Sequence, residues 1–520
     1  MRVEPPEILE GAVDRSAVHK PLFTATLGAW DLQEAPFPIL AASVPQLNTD
    51  AWTVFAGGRM ETVYQLRPGL VWHDGVPLTA DDFVFTRAVE VARVEWGLSR
   101  PTAEYRQMEE VEARDSSTVV IRWRRPYSQA AAPELIPYPR HILEPVLAQG
   151  QAETFGNHPY WNTEWIGAGP FRIDRWERGA FIEGVAFDRY ALGRPKIDRV
   201  HVTWGDDPNA NFTRLLAGDA DIALDGAILF QQASILKQQW NSPTSGTVML
   251  NPTSLRYIQV QARPAYLNPG ALADVRVRKA ILHLIDRPTL AQAIVEDQSM
   301  VADTIPPRTV PYYAAVERAI TAYPFDARRA DQLLMDAGFR KGADGFYVNG
   351  ADERLSPEVR GVARGQEEQD TTIVTGSLRD AGINAAMLLL PSSRRAVDDE
   401  MKGTFPALTL NNNTLQRGLG LDKWHSSNIG SPETNWVGTN RSGWANREFD
   451  RLHELWTTTL DGGEANQHLV RMMALLSEEL PSLPLYDNFQ VVAHASRVRG
   501  PQPITPDSTR YGNIHEWEIR

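Results

Sequence analysis

Strand-like and helix-like patterns alternate along the whole chain, with no internal repeat, low-complexity tract or long Gly/Ser linker to interrupt them. Each pattern carries an apolar face that has to be buried. Alternating elements bury theirs by laying helices on sheets, so the fold class is α/β. Residues 119–123 (Val-Val-Ile-Arg-Trp) and 200–204 (Val-His-Val-Thr-Trp) read as strands, the second with period-two alternation. Thr79 followed by Asp82 resembles a capping box, with Ala80, Val84, Ala88 and Val91 expected on one apolar helix face. Asp326 is placed to cap a helix that buries Ala330, Leu333, Leu334 and Ala337 and ends at Gly338. A stripe of Leu469, Met472, Met473, Leu476 and Leu480, stopped by Pro481, predicts a core-facing helix near the end of the chain.

A chain of 520 residues exceeds the roughly 250–300 over which a single core keeps growing, so two or three structural units are expected. Its 42% hydrophobic and 22% charged content and mean hydropathy of -0.33 are those of a soluble globular protein. The net charge of -13 argues against nucleic acid and anionic lipid, which need a basic face. Solutes or other proteins are the expected partners. Cysteine is absent, which excludes disulfides, thiolate metal sites and a thiol nucleophile. No stretch approaches the roughly 20 apolar residues of a membrane span. The opening Met1-Arg2-Val3-Glu4-Pro5-Pro6 lacks the apolar run of a signal peptide, so an exported protein is expected here in its mature form.

Catalytic motifs are missing. There is no GxSxG elbow, Walker A loop or HExxH pair, and Pro170 removes a backbone N–H from Gly167-Ala168-Gly169-Pro170 where a phosphate would need one. His73 beside Asp74 lies in a turn-forming His-Asp-Gly-Val-Pro segment, and Asp81-Asp82 and Asp206-Asp207 suit capping and turns. The 15 tryptophans are more suggestive. Trp161, Trp165, Trp424, Trp436 and Trp444 stand in polar, glycine-rich surroundings, where a flat face with one N–H donor suits stacking on a peptide or sugar.

Residues 64–85 run from Tyr64 through Trp72-His73-Asp74-Gly75 to Thr79, Asp82 and Phe85, and strongly resemble the signature of family 5 extracellular solute-binding proteins. This is the dipeptide-, oligopeptide- and nickel-binding group of bacterial ABC transporters. Further blocks follow in the family's order: Gly167-Ala168-Gly169-Pro170-Phe171, then Leu216-Ala217-Gly218-Asp219-Ala220-Asp221, then Asp274-Val275-Arg276 with Ile285-Asp286-Arg287, then the helix after Asp326 and the segment from Leu378 to Ile383. The resemblance spans roughly residues 20–515. It implies a two-lobed periplasmic-binding-protein type II fold with mixed sheets, an extra subdomain of the kind grouped as cluster C, and a two-segment hinge. By analogy the first lobe is 1–46, 163–262 and 488–520, with 47–162 as its accessory subdomain, and the second lobe is 263–487. The crossovers are expected near Gln259-Val260-Gln261 and Tyr486-Asp487-Asn488.

The implied function is capture of a peptide or oligosaccharide-like solute and delivery to an ABC permease, by a monomer that is periplasmic or extracellular and lipoprotein-anchored in its precursor. No catalytic residue, cofactor or metal is implied. The alternatives are a secreted hydrolase acting on glycans or peptides, and a ligand sensor that docks on a receptor. In peptide-binding members an Asp of the second lobe pairs with the ligand's amino terminus. The matching stretch here ends in Asn411, Asn412 and Asn413, which offer amides but no full charge to an ammonium; as a group they also suit a turn-rich loop. With Trp424, Trp436 and Asn440 they form the expected ligand-binding set, and Tyr105 of the accessory subdomain joins it. His425 suggests a nickel ligand, but no second one accompanies it.

Overall fold

The computed structural model describes residues 7–10, 20–32, 35–98, 102–161, 163–205, 207–224, 226–242, 244–363, 365–391, 398–413, 420–505 and 511–520. The opening six residues and Asp206, both read above, lie outside the described residues. The chain divides into two compact units. One is Met1–Asn251 with Thr458–Leu460 and Gln490–Arg520; the other is Pro252–Thr457 with Asp461–Phe489. Two of the exchange points fall inside long strands, Gly246–Val260 and Ser482–Ala495.

In the first unit, strand Glu7–Glu10 lies parallel to both Arg199–Trp204 and Ile222–Leu224, with Ile8 opposite Val202 and Ile222. Phe181–Ala186 and Phe171–Glu177 continue this sheet antiparallel, and Ala223 pairs with Ala493 on its other side. Strand 199–204 alternates as the sequence predicts: Val200 and Val202 are buried and pack with Ile8, Phe171, Ile182 and Trp517. Asp207 caps the Pro208–Ala217 helix by accepting the Asn209 N–H at 2.8 Å.

A second sheet, ordered Trp52–Val54, Met60–Gln65, Thr118–Trp123, Met108–Asp115, is antiparallel throughout and carries its own core around Tyr64, Trp72, Phe83 and Trp123. Helix Ala80–Glu95 packs on it. Asp82 accepts the Thr79 N–H at 2.9 Å, as the capping motif requires. The buried face differs from the expected one. Ala80, Asp82, Phe83, Phe85, Thr86 and Val89 are buried, while Val84 is half-buried, Ala88 is exposed and Val91 is 38% exposed. Burying two phenylalanines removes far more apolar area from water than burying alanine and valine, and that decides the helix rotation.

The turn at Asp74-Gly75 is formed, with Gly75 at φ +92° and the Val76 N–H donating to Asp74 at 3.1 Å. Gly167 and Gly169 are close-approach glycines. A Cβ on Gly167 would stand 1.8 Å from the Phe23 carbonyl oxygen, and one on Gly169 2.4 Å from the Phe23 carbonyl carbon. The Gly-Ala-Gly-Pro block is therefore a packing device.

In the second unit, Glu358–Val362 is parallel to Ala386–Leu390 and to Leu408–Asn413, which pairs antiparallel with the 255–260 stretch of the long strand. Helix Gly365–Asp380 covers one face of this sheet. Gly361 permits the approach, since a Cβ there would lie 1.9 Å from Thr371 Oγ1. On the same side Arg256 is buried against Asp370 at 2.5 Å, and the Tyr486 hydroxyl donates to that carboxylate at 2.7 Å. Helix Ala327–Asp336 buries Ala330, Leu333 and Leu334 behind its Asp326 cap and ends at Gly338 with φ +89°. Helix Gly462–Glu479 sets Leu469, Met472, Met473 and Leu476 into a core with Leu255, Tyr257, Trp424, Trp444 and Phe449.

Candidate functional site

Strand pairing in the second unit decides which side chains meet. Gln259 stands opposite Thr409, Thr409 opposite Arg360, and Tyr257 opposite Asn411. Directly paired residues share a face, so Gln259, Thr409, Asn411 and Arg360 lie on one side of the sheet. Val359, Gly361, Leu408 and Leu410 take the other, beneath the 365–380 helix. The uncovered row lines a shallow, open recess. Met401, Lys402 and Phe405 wall one side, Leu390 and Arg441 the rest. Helix Asp399–Gly403 positions Lys402, and Asp398 caps that helix through the Met401 N–H at 2.8 Å.

One residue organises the loops around this recess. Arg263 Nη1 donates to the carbonyls of Gly403, at 2.6 Å, and Arg441, while Nη2 donates to those of Gly430, at 2.9 Å, and Asn440, at 3.4 Å. Its guanidinium lies 5.8 Å from the centre of the Trp436 ring, which packs edge-on against Tyr266. Trp436 itself adopts φ +59°. Lys402 binds Asp399 at 2.6 Å and Arg360 Nε binds Glu358 at 2.6 Å. Lys423 donates to the Asn412 carbonyl at 3.3 Å; burial and the neighbouring Arg441 charge pull its ammonium down to about 8.

The expected ligand set is distributed unevenly over this geometry. The three asparagines form the end of a strand, not a turn-rich loop, and alternation separates them. Asn411 faces the recess, half-buried, with its amide 3.5 Å from Gln259 Oε1. Asn412 points to the opposite side and is exposed. Asn413 is buried and donates to the Gly420 carbonyl at 3.1 Å. Trp424 is fully buried in the second unit's core, edge-on to Tyr257. Asn440 is also fully buried: its amide donates to the carbonyls of Trp444, at 2.8 Å, and His425, at 3.2 Å, and its oxygen accepts from Gly443 and Ser442. Asn413, Trp424 and Asn440 therefore hold the fold together. Trp436 is half-buried beside the Arg263 anchor.

Tyr105 belongs to the first unit, packed against the core of the 52–123 sheet, and burial together with Glu90 holds its hydroxyl well above its ordinary range. Trp161 and Trp165 form an aromatic cluster with Tyr160. Trp444 is buried and donates to Glu479 at 2.9 Å. His425 Nδ1 is engaged by Ser427 at 2.8 Å, and among the described residues no cluster of three or more His, Asp or Glu could hold a metal.

Sequence reasoning missed Thr409, Arg360, Lys402, Arg441 and Arg263. Period-two alternation through 408–413 would have paired Thr409 with Asn411. The others meet only through tertiary pairing and carry no local signal.

Polar groups from three adjacent strands thus converge on one recess of the second unit. The chain belongs to the bacterial extracellular solute-binding proteins, family 5, whose middle-region model matches residues 42–415. It is 24% identical over 469 residues to the glutathione-binding protein GsiB of Escherichia coli O1:K1 / APEC, covering 87% of this chain and 82% of that protein. It is 22% identical over 524 residues to the oligopeptide-binding protein AppA of Bacillus subtilis (strain 168), covering 98% and 91%. Among solved structures it resembles the oligopeptide-binding protein of Thermus thermophilus complexed with a pentapeptide, with TM-score 0.81, 21% identity and coverage of 99% and 96%. It also resembles NikZ from Campylobacter jejuni in complex with Ni(L-His), with TM-score 0.79, 19% identity and 99% coverage of both chains. The fold is thus the type II periplasmic-binding-protein fold, as the sequence resemblance implies. No helix among the described residues is long and apolar enough to cross a membrane.

Proposed function

We propose that this chain is the solute-capturing component of an ABC importer, acting outside the cytoplasm as a monomer and handing its cargo unaltered to a membrane permease. The observation that carries this reading is membership of the family 5 solute-binding proteins across residues 42–415. The solute is peptide-like: the relatives named above bind glutathione and oligopeptides. Oligosaccharides are the second class to test, because amide and hydroxyl groups in the recess suit them equally. Asn411 and Trp436 are the contacts we assign from the sequence-derived set, with Thr409 and Gln259 added from the geometry. Asn412, on the opposite face of the strand, and Tyr105, in the first unit, stay in the proposed contact set without a place in this recess, and Asn413, Trp424 and Asn440 are assigned to its support. Within this reading 47–162 is an accessory subdomain of the first lobe; its separate four-stranded sheet and core support that assignment. Anchoring of the precursor by a lipid belongs to the same reading.

The test is calorimetry of the purified chain against glutathione, di- to nonapeptides, oligosaccharides and Ni(L-His), with each mixture assayed for turnover. Saturable binding of intact solute is expected. Turnover of a peptide or glycan would instead establish the hydrolase, and a ligand-dependent complex with a receptor in place of a permease would establish the sensor.

A further inference from the structure

We infer that Asp487 is the proton-operated switch of a latch that holds the 299–301 segment on its neighbouring strand in the second unit. The latch is Arg308. Its Nη1 donates to the Ser299 carbonyl at 2.8 Å and its Nη2 to that of Val301 at 3.0 Å. The tied segment runs antiparallel to strand Ser482–Ala495: Val301 bridges Tyr486, and the Ala302 N–H donates to the Leu485 carbonyl at 3.3 Å. Asp487 comes next on that strand, shortly before the chain leaves this unit at Phe489. Gln366 of the Gly365–Asp380 helix bonds both Tyr486 and Asn488, so alternation sends Asp487 to the opposite face. There it is 5% exposed, and its carboxyl makes no hydrogen bond to a described residue.

A carboxyl buried without a partner either stays neutral or recruits a cation. The groups around Asp487 decide which. Asp303 carries a like charge and is held by Arg287 at 2.9 Å, while Arg287 also donates to the carbonyls of Ala302 and Tyr323. Tyr313, hydrogen-bonded to Arg308, and Glu317 face that guanidinium from helix Tyr313–Ala319. Arg256 and Asp370 pair on the far side of the sheet. Arg308 is therefore the cation that an ionised Asp487 draws on. Burial raises the Asp487 pKa from 3.8 to about 7, with Arg308 opposing the rise and Asp303 adding to it. Below neutrality Asp487 is uncharged and Arg308 stays on its two carbonyls. Above it, the carboxylate turns the guanidinium fork towards itself, and the carbonyls of Ser299 and Val301 lose their donors. The sign agrees with linkage: a raised carboxyl favours the closed form fully below 3.8 and loses that contribution as pH rises through about 7. The latch opens on the alkaline side.

The experiment follows hydrogen exchange of the full chain at about pH 5 and about pH 8, on either side of the Asp487 titration. The rate at the Ala302 amide is divided by that at the Val63 amide, which donates to the Ala51 carbonyl in the first unit and cancels the chemical pH dependence. No solute is added, so the outcome does not depend on the solute-capture reading. In the unmodified chain the ratio should rise at least about tenfold from the acid to the alkaline condition. D487N keeps the shape of the neutral acid and should hold the ratio low at both. R308Q, altered at an exposed side chain, should hold it high at both. An unchanged ratio in the unmodified chain would overturn the switch. A rise that persists in D487N or in R308Q would place the titrating group elsewhere and overturn it as well. Should D487N fail to fold, the unmodified chain and R308Q decide between these outcomes.

Discussion

Replacing Arg263 by methionine keeps the apolar stem of the side chain and deletes the guanidinium that ties Gly403, Gly430, Asn440 and Arg441 together. Three of the four bonds are short. At about 2 kcal/mol each for a charged donor, halved because water reaches a half-buried site, their loss comes to about 3 kcal/mol. That is well within the roughly 5–15 kcal/mol of a typical domain, so the variant should fold. The deficit should instead appear locally, since two units need not unfold as one. Two amides report on the loop directly: the Asn440 N–H donates to Asn428 O at 3.0 Å, and the Trp436 N–H to Ser431 O at 2.8 Å. Hydrogen exchange at both should accelerate by about a hundredfold, while amides of the Met60–Gln65 strand in the first unit are unchanged. Arg263→Lys, a point charge without a fork, should recover only part of the protection. An acceleration below about threefold at both amides would refute the claim that Arg263 holds this loop.

Other outcomes follow from particular contacts. Asn440→Ala removes the amide bonds to the carbonyls of Trp444 and His425, the latter keeping the Asn428 N–H, and takes from the Gly443 N–H its acceptor in a fully buried site; it should cost about 3 kcal/mol by urea denaturation of the second unit. Gly361→Ala places a Cβ where Thr371 Oγ1 stands and should lower the Tm sharply; adding Thr371→Ala should restore part of the loss, and no restoration would contradict the packing account. His73 accepts the Gly167 N–H at Nδ1 and bonds the Gly169 carbonyl through Nε2, so its ring is neutral; burial depresses its pKa from 6.5 to about 4. A depressed histidine stabilises fully above 6.5 and loses that contribution as pH falls towards about 4. The Tm should therefore drop on acidification in this window, with a shallower slope for His73→Gln, and identical slopes would count against the assignment.

Local signals in the chain were read correctly where one residue's chemistry decides the outcome. The Asp326 and Asp82 caps, the Gly338 stop, the Asp74-Gly75 turn and the 469–476 stripe are all formed where spacing predicts them. Reading failed where neighbours distant in sequence decide. The rotation of the 80–95 helix is set by which face wins burial against the 52–123 sheet, and a helical wheel drawn on alanine and valine could not rank Phe83 and Phe85 above them. Pro170 excludes the glycine block at 167–169 as a phosphate loop, but its packing role becomes visible only with Phe23 against it.

The asparagine triplet carries the sharper lesson. Three identical side chains in a row invite treatment as one cluster, yet a strand sends successive residues to opposite faces. Asn411 therefore faces the recess while Asn412 does not, and Asn413 returns to the recess side only to be buried on Gly420. The polar surface is assembled across strands, from Gln259, Thr409 and Arg360 on one rung of three adjacent strands, residues separated by 150 positions between Gln259 and Thr409 and by 49 between Arg360 and Thr409. A one-residue slip of the 408–413 strand would exchange Thr409 and Asn411 for Leu408 and Leu410 and turn a polar recess apolar. Register is thus the physical quantity that specifies the solute surface. It is fixed on the opposite side by Gly361 against Thr371 and by Arg256 on Asp370, contacts that never touch a ligand.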